Sequence, residues 1–305
     1  MALLGTIWTG RRAGALSGAL AAAISMMMAM PAAFAEEPQP WQMGLQASAS
    51  PVRDRIDFLH NVILLPIITV ISIFVLVLLL YVIVRFSAKR HPTPSKTSHN
   101  TVLEVIWTTV PILILAVIFI PSMKLLYYVD RLQKADMTVK ITGHQWYWSY
   151  EYPDYKDVGF DSTMMPQEDA RKAHLPALLE VDNPIVVPVG AKVRLLVTGT
   201  DVIHSWFVPS VGVQEYAIIG RTNESWMQLE RPGTYYGQCN QICGLNHPFM
   251  PIEIKAVAKT KFDQWTACQQ KPSKERPQGG CGQYAVTDEN GDGAQSVALA
   301  AATAH

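Results

Sequence analysis

Two cysteines, two histidines and a methionine are the residues of this chain whose types and spacing suggest metal chemistry. Four of the five fall in one stretch, Cys239-Asn240-Gln241-Ile242-Cys243-Gly244-Leu245-Asn246-His247-Pro248-Phe249-Met250, and the fifth, His204, opens a distant His204-Ser205-Trp206. Thiolate, imidazole and thioether donors form a soft nitrogen-and-sulfur set that suits copper. Three other readings compete. In an oxidising compartment the two cysteines could close a disulfide, but that leaves His247 and Met250 without a reason for their spacing. Zinc could take two Cys and two His as a tetrahedral site, with no use for Met250. A blue-copper site takes one Cys, two His and a weak axial Met, and the second cysteine argues against it. Two thiolates can instead bridge two coppers, each capped by one imidazole and a weaker ligand, so that one electron is shared across both metals. Held on a rigid scaffold, such a set leaves no open position for substrate, so electron transfer is expected rather than catalysis at the metal.

The scaffold expected to hold these donors is all-β. Strand-like runs occupy residues 138–142, 185–189, 193–198, 234–238 and 252–257, separated by turn residues such as Pro232-Gly233 and Val189-Gly190. They predict a small sandwich or barrel over residues 136–270. Beyond it, residues 271–305 turn polar and then Ala-rich and are expected to be a disordered tail. Cys268 and Cys281 lie outside the metal motif, and neither begins a Cys-x-x-Cys-His haem attachment. They form either a disulfide or free thiols.

Of the 305 residues, 49% are hydrophobic and only 16% charged, which points to a membrane portion. Apolar segments at residues 62–84 and 105–123 are each near the roughly 20 residues that cross a bilayer as a helix. They predict helices at about 60–86 and 103–128 within an N-terminal region of residues 36–135. Arg85, Lys89, Arg90 and Lys96 between them belong in the cytoplasm, so the spans form a hairpin with both flanks outside. Arg11 and Arg12, an apolar run and Ala33-Phe34-Ala35 read as a signal peptide over residues 1–35. A formal net charge of zero suggests no nucleic-acid partner.

Taken together, these motifs resemble subunit II of the haem-copper cytochrome c oxidases. The resemblance is carried by Gly143-His144-Gln145-Trp146-Tyr147-Trp148, His204-Ser205-Trp206, Gly220-Arg221 and Tyr236-Gly237-Gln238-Cys239. In the hairpin it is carried by His99-Asn100-Thr101 and Glu104-Val105-Ile106-Trp107. It implies a cupredoxin-like domain with the dinuclear copper centre called CuA, held by His204, Cys239, Cys243, His247 and Met250, with residue 241 offering its main-chain carbonyl. It implies that Trp146 receives electrons from cytochrome c and that Glu104 stands at the mouth of a proton path into subunit I. Asp201, Glu151, Asp154, Asp157 and Asp182 become candidates for an acidic docking surface. The implied partners are subunit I with its haem and copper, subunit III, cytochrome c and membrane lipid, and the implied location is a bacterial plasma membrane with the copper domain in the periplasm. Oxygen reduction, coupled to proton translocation, would take place in subunit I, and this chain carries no catalytic residue of its own.

The chain departs from the family in two places. Gln241 replaces the usual Glu, whose carboxylate binds magnesium at the subunit I interface; a neutral amide is a poorer ligand for that hard cation. The usual Lys-x-Asp-Ala-x-Pro-Gly-Arg appears as Gln214-Glu215-Tyr216-Ala217-Ile218-Ile219-Gly220-Arg221, so charges in the water and proton exit region are exchanged. Competing functions are a copper-delivery or assembly protein, which favours exposed, exchangeable ligands, and a copper-free quinol oxidase subunit, which retention of both cysteines and both histidines opposes.

Overall fold

The structure, a computed structural model, describes residues 38–93, 95–130, 134–277 and 280–285. The expected signal peptide and residues 286–305 lie outside the described residues.

Two helical rods come first. Ser50 caps the first, its hydroxyl accepting from Arg53 N at 3.0 Å, and Pro51 at the opening position has the φ a helix needs. Helix α1 (Pro51–Phe58) runs through a π-helical turn (Leu59–Leu64) into α2 (Leu65–Arg85). Helix α3 (Thr101–Asp130) follows, with Asn100 Oδ1 accepting from Val102 N at 3.1 Å and Leu103 N at 3.2 Å. Both rods, of 35 and 30 residues, are long and apolar enough to cross a membrane. Each overruns its expected limits because a capping side chain, rather than the apolar run, sets its start.

The remainder is a sandwich of two five-stranded sheets. One has the order β3-β2-β1-β5-β8, from β3 (Gly159–Ser162), β2 (Tyr147–Glu151), β1 (Met137–His144), β5 (Lys192–Gly199) and β8 (Asn223–Gln228). The other has the order β4-β10-β9-β6-β7, from β4 (Ile185–Pro188), β10 (Pro251–Val257), β9 (Gly233–Cys239), β6 (His204–Val208) and β7 (Val213–Ala217). Alternation in β1 and β5 sends Val139, Ile141, Val193, Leu195 and Val197 into the core, where they meet Ile252, Ile254 and Tyr235 of the second sheet.

Strands β4 and β10 are buried on both faces. A loop spanning residues 163–182, containing α4 (Gln167–Lys172), reaches the outer face of the second sheet, and Val181 N donates to Glu253 Oε2 at 3.2 Å. Glu180 there accepts a short bond from the Tyr236 hydroxyl. Helix α5 (Lys259–Gln269) packs Phe262 and Trp265 against Tyr155, Tyr152 and Phe160. The expectation of a disordered tail from residue 271 needs correction over its first part. A Cys268–Cys281 disulfide ties the segment back to α5, turns form at Ser273–Glu275 and Gly282–Tyr284, and Cys281 and Ala285 are buried. A covalent loop closure plus a few buried apolar groups outweighs the polar composition.

The sandwich is also fastened to α1. Ala49 N donates to Ser210 O at 2.9 Å, Ser50 Oγ bonds Val211 O, and Arg53 donates to Pro209 O and Gln46 O at 2.8 and 3.1 Å. Ala49 belongs to the core of the sandwich although it precedes the membrane helices in sequence.

Candidate metal centre

Three adjacent strands of the second sheet bring the donors together. His204 opens β6 and Cys239 closes β9, and the register Trp206↔Cys239 sets them side by side. Past Cys239 the chain loops out and returns at Met250, whose carbonyl accepts from Cys239 N at 3.4 Å and from Trp148 Nε1 at 3.3 Å. Asn240 N donates to Ser205 O at 3.0 Å, pinning the start of the loop to β6. His204, Cys239, Cys243 and Met250 are buried and His247 is half-buried.

Cys239 Sγ and Cys243 Sγ lie 3.9 Å apart as free thiols. Each sulfur has an imidazole nitrogen beside it: His204 Nδ1 is 3.9 Å from Cys239, and His247 Nδ1 is 3.6 Å from Cys243 and also interacts with Cys239. Each also has a weaker donor, with Gln241 O 3.4 Å from Cys239 and Met250 Sδ 3.6 Å from Cys243. All six sequence-predicted donors therefore converge, in two matched halves. The donor atoms of His204, Cys239 and Cys243 lie within 4.8 Å of one another.

The electrostatics suit a cation. Burial pushes the Cys239 thiol up, but the bond to His204 and other donors draw it down to about 7; burial and the neighbouring Cys239 charge push Cys243 up to about 12. Two thiolates this close repel, so the second ionises readily only when a metal ion lies between them. Burial works against a charged His204, yet its bonds to Cys239 and Asp201 outweigh burial and raise its pKa. Burial likewise works to raise the pKa of Asp201, but its bonds to His204, Val202 N and Gln145 N lower it.

Trp146 sits half-buried in the turn between β1 and β2, its ring against Gly244 of the metal loop. Gly244 has φ +126°, and a β-carbon there would lie 3.0 Å from Trp146 Cζ2, so glycine is needed both for conformation and for space. Gly143 makes similar room for His204, whose ring Cδ2 would be 3.0 Å from an added β-carbon. Sequence reasoning passed over both glycines and Gln145, although all three lie inside the quoted motifs.

The candidate docking acids stand at separate places along the first sheet. Glu151 pairs with Lys140 at 2.8 Å, and the register Lys140↔Glu151, His144↔Tyr147 places it at the far end of the hairpin from the metal. Asp154 accepts from Thr138 N at 2.6 Å near that same end, and Asp157 is exposed in the turn joining β2 to β3. Asp182 accepts from Thr163 N and Oγ1 at 2.7 and 2.9 Å, closing the neck of the 163–182 loop. Asp201 alone touches the metal site. Glu104 turns back on its own helix, Oε1 accepting from Asn100 N at 3.2 Å. Tyr216 and Gln214 lie on β7, and Glu215 lines a polar cavity of about 330 Å³ with Asp130 and Arg221.

A helical membrane anchor bearing a β-sandwich with a paired cysteine and histidine site defines a membrane-bound metalloprotein of the electron-transfer class. Comparison makes this particular. The family model described as cytochrome C oxidase subunit II, periplasmic domain, matches residues 137–257, and that of the transmembrane domain matches residues 38–125. The chain is 48% identical to the "Probable cytochrome c oxidase subunit 2" of Rickettsia bellii, over 78% of this chain and 88% of that one. It is 45% identical to cytochrome c oxidase subunit 2 of Oenothera berteroana, over 77% and 93%. Among solved structures it is similar to the periplasmic domain of cytochrome oxidase subunit II of Bradyrhizobium japonicum, with 46% identity, 46% of this chain and 97% of that one covered, and a TM-score of 0.43. The chain belongs to the cytochrome c oxidase subunit II family. Its sandwich is the cupredoxin-like domain of that family, and the chain is the copper-bearing subunit of an oxidase that contains other subunits.

Proposed function

We propose that this chain takes electrons one at a time from cytochrome c at Trp146 and passes them to haem in subunit I through a CuA centre. His204, Cys239, the Gln241 carbonyl, Cys243, His247 and Met250 would hold it. The observation that carries this reading is the convergence of donors on two adjacent thiols, each with an imidazole Nδ1 within 3.9 Å and a weaker donor within 3.6 Å. Two coppers bound there would supply a delocalised one-electron carrier. The protein's part is to hold the donors rigidly, so that little rearranges between oxidised and reduced states, and to exclude water from His204, Cys239 and Met250, each buried.

Glu104, at the start of α3, is assigned to the mouth of a proton path, and the copper domain to the periplasmic side of a bacterial plasma membrane. Subunit III and lipid would complete the membrane surroundings of α2 and α3. Magnesium binding at the subunit I interface would be weak, because the residue between the cysteines offers an amide in place of a carboxylate. A Gln241→Glu variant would then raise magnesium, or manganese, content in the assembled oxidase.

The test is copper content with optical and electron paramagnetic resonance spectra of the full chain in detergent. Two coppers per chain and a seven-line mixed-valence signal support the reading. One copper with a four-line signal, or zinc alone, would falsify it.

A further inference from the structure

The β1–β2 hairpin turns at Gln145 and Trp146, and Gln145 is exposed. A glutamine at such a tip ordinarily extends into water, yet this one is held at both ends. Its main-chain N–H donates to Asp201 Oδ2 at 2.6 Å, and Asp201 Oδ1 in turn bonds His204 Nε2 at 2.8 Å. Its side-chain Nε2 donates to the Cys243 carbonyl at 2.7 Å. One residue therefore bridges both halves of the metal site, reaching His204 through Asp201 and the Cys243 half directly.

The adjoining Trp146 has no comparable fastening. Its indole Nε1 is buried and has no hydrogen-bond partner among the described residues. Its ring is placed by its packing on Gly244 and by the backbone on either side. On one side His144 is locked, stacked on Tyr147 with ring planes 6° apart and bonded to Thr200 Oγ1 and Ser149 Oγ at 2.9 and 3.0 Å. On the Trp146 side the corresponding lock is Gln145. A β-carbon at Gly244 would lie 3.2 Å from Gln145 Nε2 and 3.0 Å from Trp146 Cζ2, so both side chains rest on the same peptide of the metal loop.

We propose that Gln145 is a positioning residue for electron input: its amide, bonded to the Cys243 carbonyl, clamps the hairpin tip so that the Trp146 ring stays in contact with the metal loop. The inference rests on the reading of Trp146 as the point where electrons arrive. One electron leaves the reduced haem of cytochrome c, passes Trp146 and reduces the copper centre by one, with no bond made or broken. The rate of such a step depends on the separation that the clamp maintains. A displacement of about 1 Å between reacting groups costs on the order of 100-fold in other reactions that depend on approach. Only a side chain that donates at this length can bond the carbonyl, so leucine and glutamate of similar size lack the function.

The experiment uses the assembled oxidase with Gln145→Leu and Gln145→Glu in the full chain. It measures single-electron transfer from photoreduced cytochrome c across a range of cytochrome c concentrations. The limiting rate is expected to fall about tenfold to a hundredfold in both variants, while the half-saturating concentration, the copper content and the mixed-valence spectrum stay as in the parent. An undiminished limiting rate in either variant overturns the proposal. So does a change confined to the half-saturating concentration, which would assign Gln145 to docking, and so does loss of copper in both. A Trp146→Ala variant measured alongside separates this inference from the one beneath it. Full rate in Trp146→Ala removes the role of Trp146 itself, whereas a slow Trp146→Ala beside a fast Gln145→Leu removes only the clamp.

Discussion

Asp201 Oδ1 lies 2.8 Å from His204 Nε2, and the ring so held turns its other nitrogen, Nδ1, toward the Cys239 sulfur at 3.9 Å. A carboxylate on the outer nitrogen fixes the tautomer, leaves the inner lone pair free for a metal and raises its basicity. The carboxylate is itself oriented by Val202 N and Gln145 N, both at 2.6 Å. With its side chain 31% exposed, Asp201 serves the metal site before it can serve a docking surface.

Replacing Asp201 with Ala should therefore weaken copper binding by about tenfold to a hundredfold, the usual effect of losing a partner that orients a metal-binding histidine. Competition with a copper chelator would measure it. Binding as tight as in the parent, with changed salt dependence of cytochrome c oxidation alone, would return Asp201 to the docking surface.

Cys243→Ser should abolish the shared-electron centre, because a serine hydroxyl does not ionise at neutral pH to bridge soft metals. The expected spectrum changes from seven lines to a four-line, single-copper signal. Retention of the seven-line signal would mean that Cys243 is not a bridge.

The buried carboxyl pair under the 163–182 loop predicts a pH dependence. Burial, then the Glu253 charge, raise Glu180 from 4.5 to about 7 against the opposing bond from the Tyr236 hydroxyl, and Lys255 lies 3.3 Å from Glu253. The folded protein thus holds a proton on Glu180 that the unfolded chain gives up at lower pH. The stabilisation is fully present below about 4.5, is lost as pH rises to about 7 and changes little beyond. Glu253→Gln removes the charge but not the burial, so the parent-minus-variant difference in thermal midpoint should shift in the parent's favour on acidification from pH 8 to pH 5, as Glu180 takes up its proton and the repulsion in the parent is relieved. Parallel midpoint curves for the two proteins would rule out coupling between these carboxyls.

Opening the Cys268–Cys281 link in a double Ala variant should cost about 2–3 kcal/mol, the chain-entropy value for closing so short a loop. It should leave the copper spectrum unchanged, since the link fastens α5 rather than the metal loop. Denaturant unfolding checks the first statement and electron paramagnetic resonance the second.

The donor set and strands β1, β4, β5, β9 and β10 were legible because spacing within one loop, and short apolar or alternating runs between turn residues, are local properties of sequence. Strands β2, β3, β6, β7 and β8 escaped, since runs such as Asn223-Glu224-Ser225-Trp226 place polar residues where neighbours, not periodicity, decide conformation. Gln145 and Gly244 escaped for a different reason: one acts through a bond to residue 243 and the other through the absence of a side chain, and both depend on contacts distant in sequence. The Glu180–Glu253 pairing is of the same kind.

The fastening of Ala49, Ser50 and Arg53 onto the segment from Pro209 to Val211 has a practical corollary. A soluble fragment beginning at residue 136 would keep all ten strands but lose Ala49 from the core they enclose. It would bare Val211, which Ser50 caps at the carbonyl, and would leave Ser210 O and Glu230 N without the backbone partner that Ala49 supplies. An excised copper domain would regain these contacts with the peptide of residues 46–57 returned, grafted through a linker or added in trans.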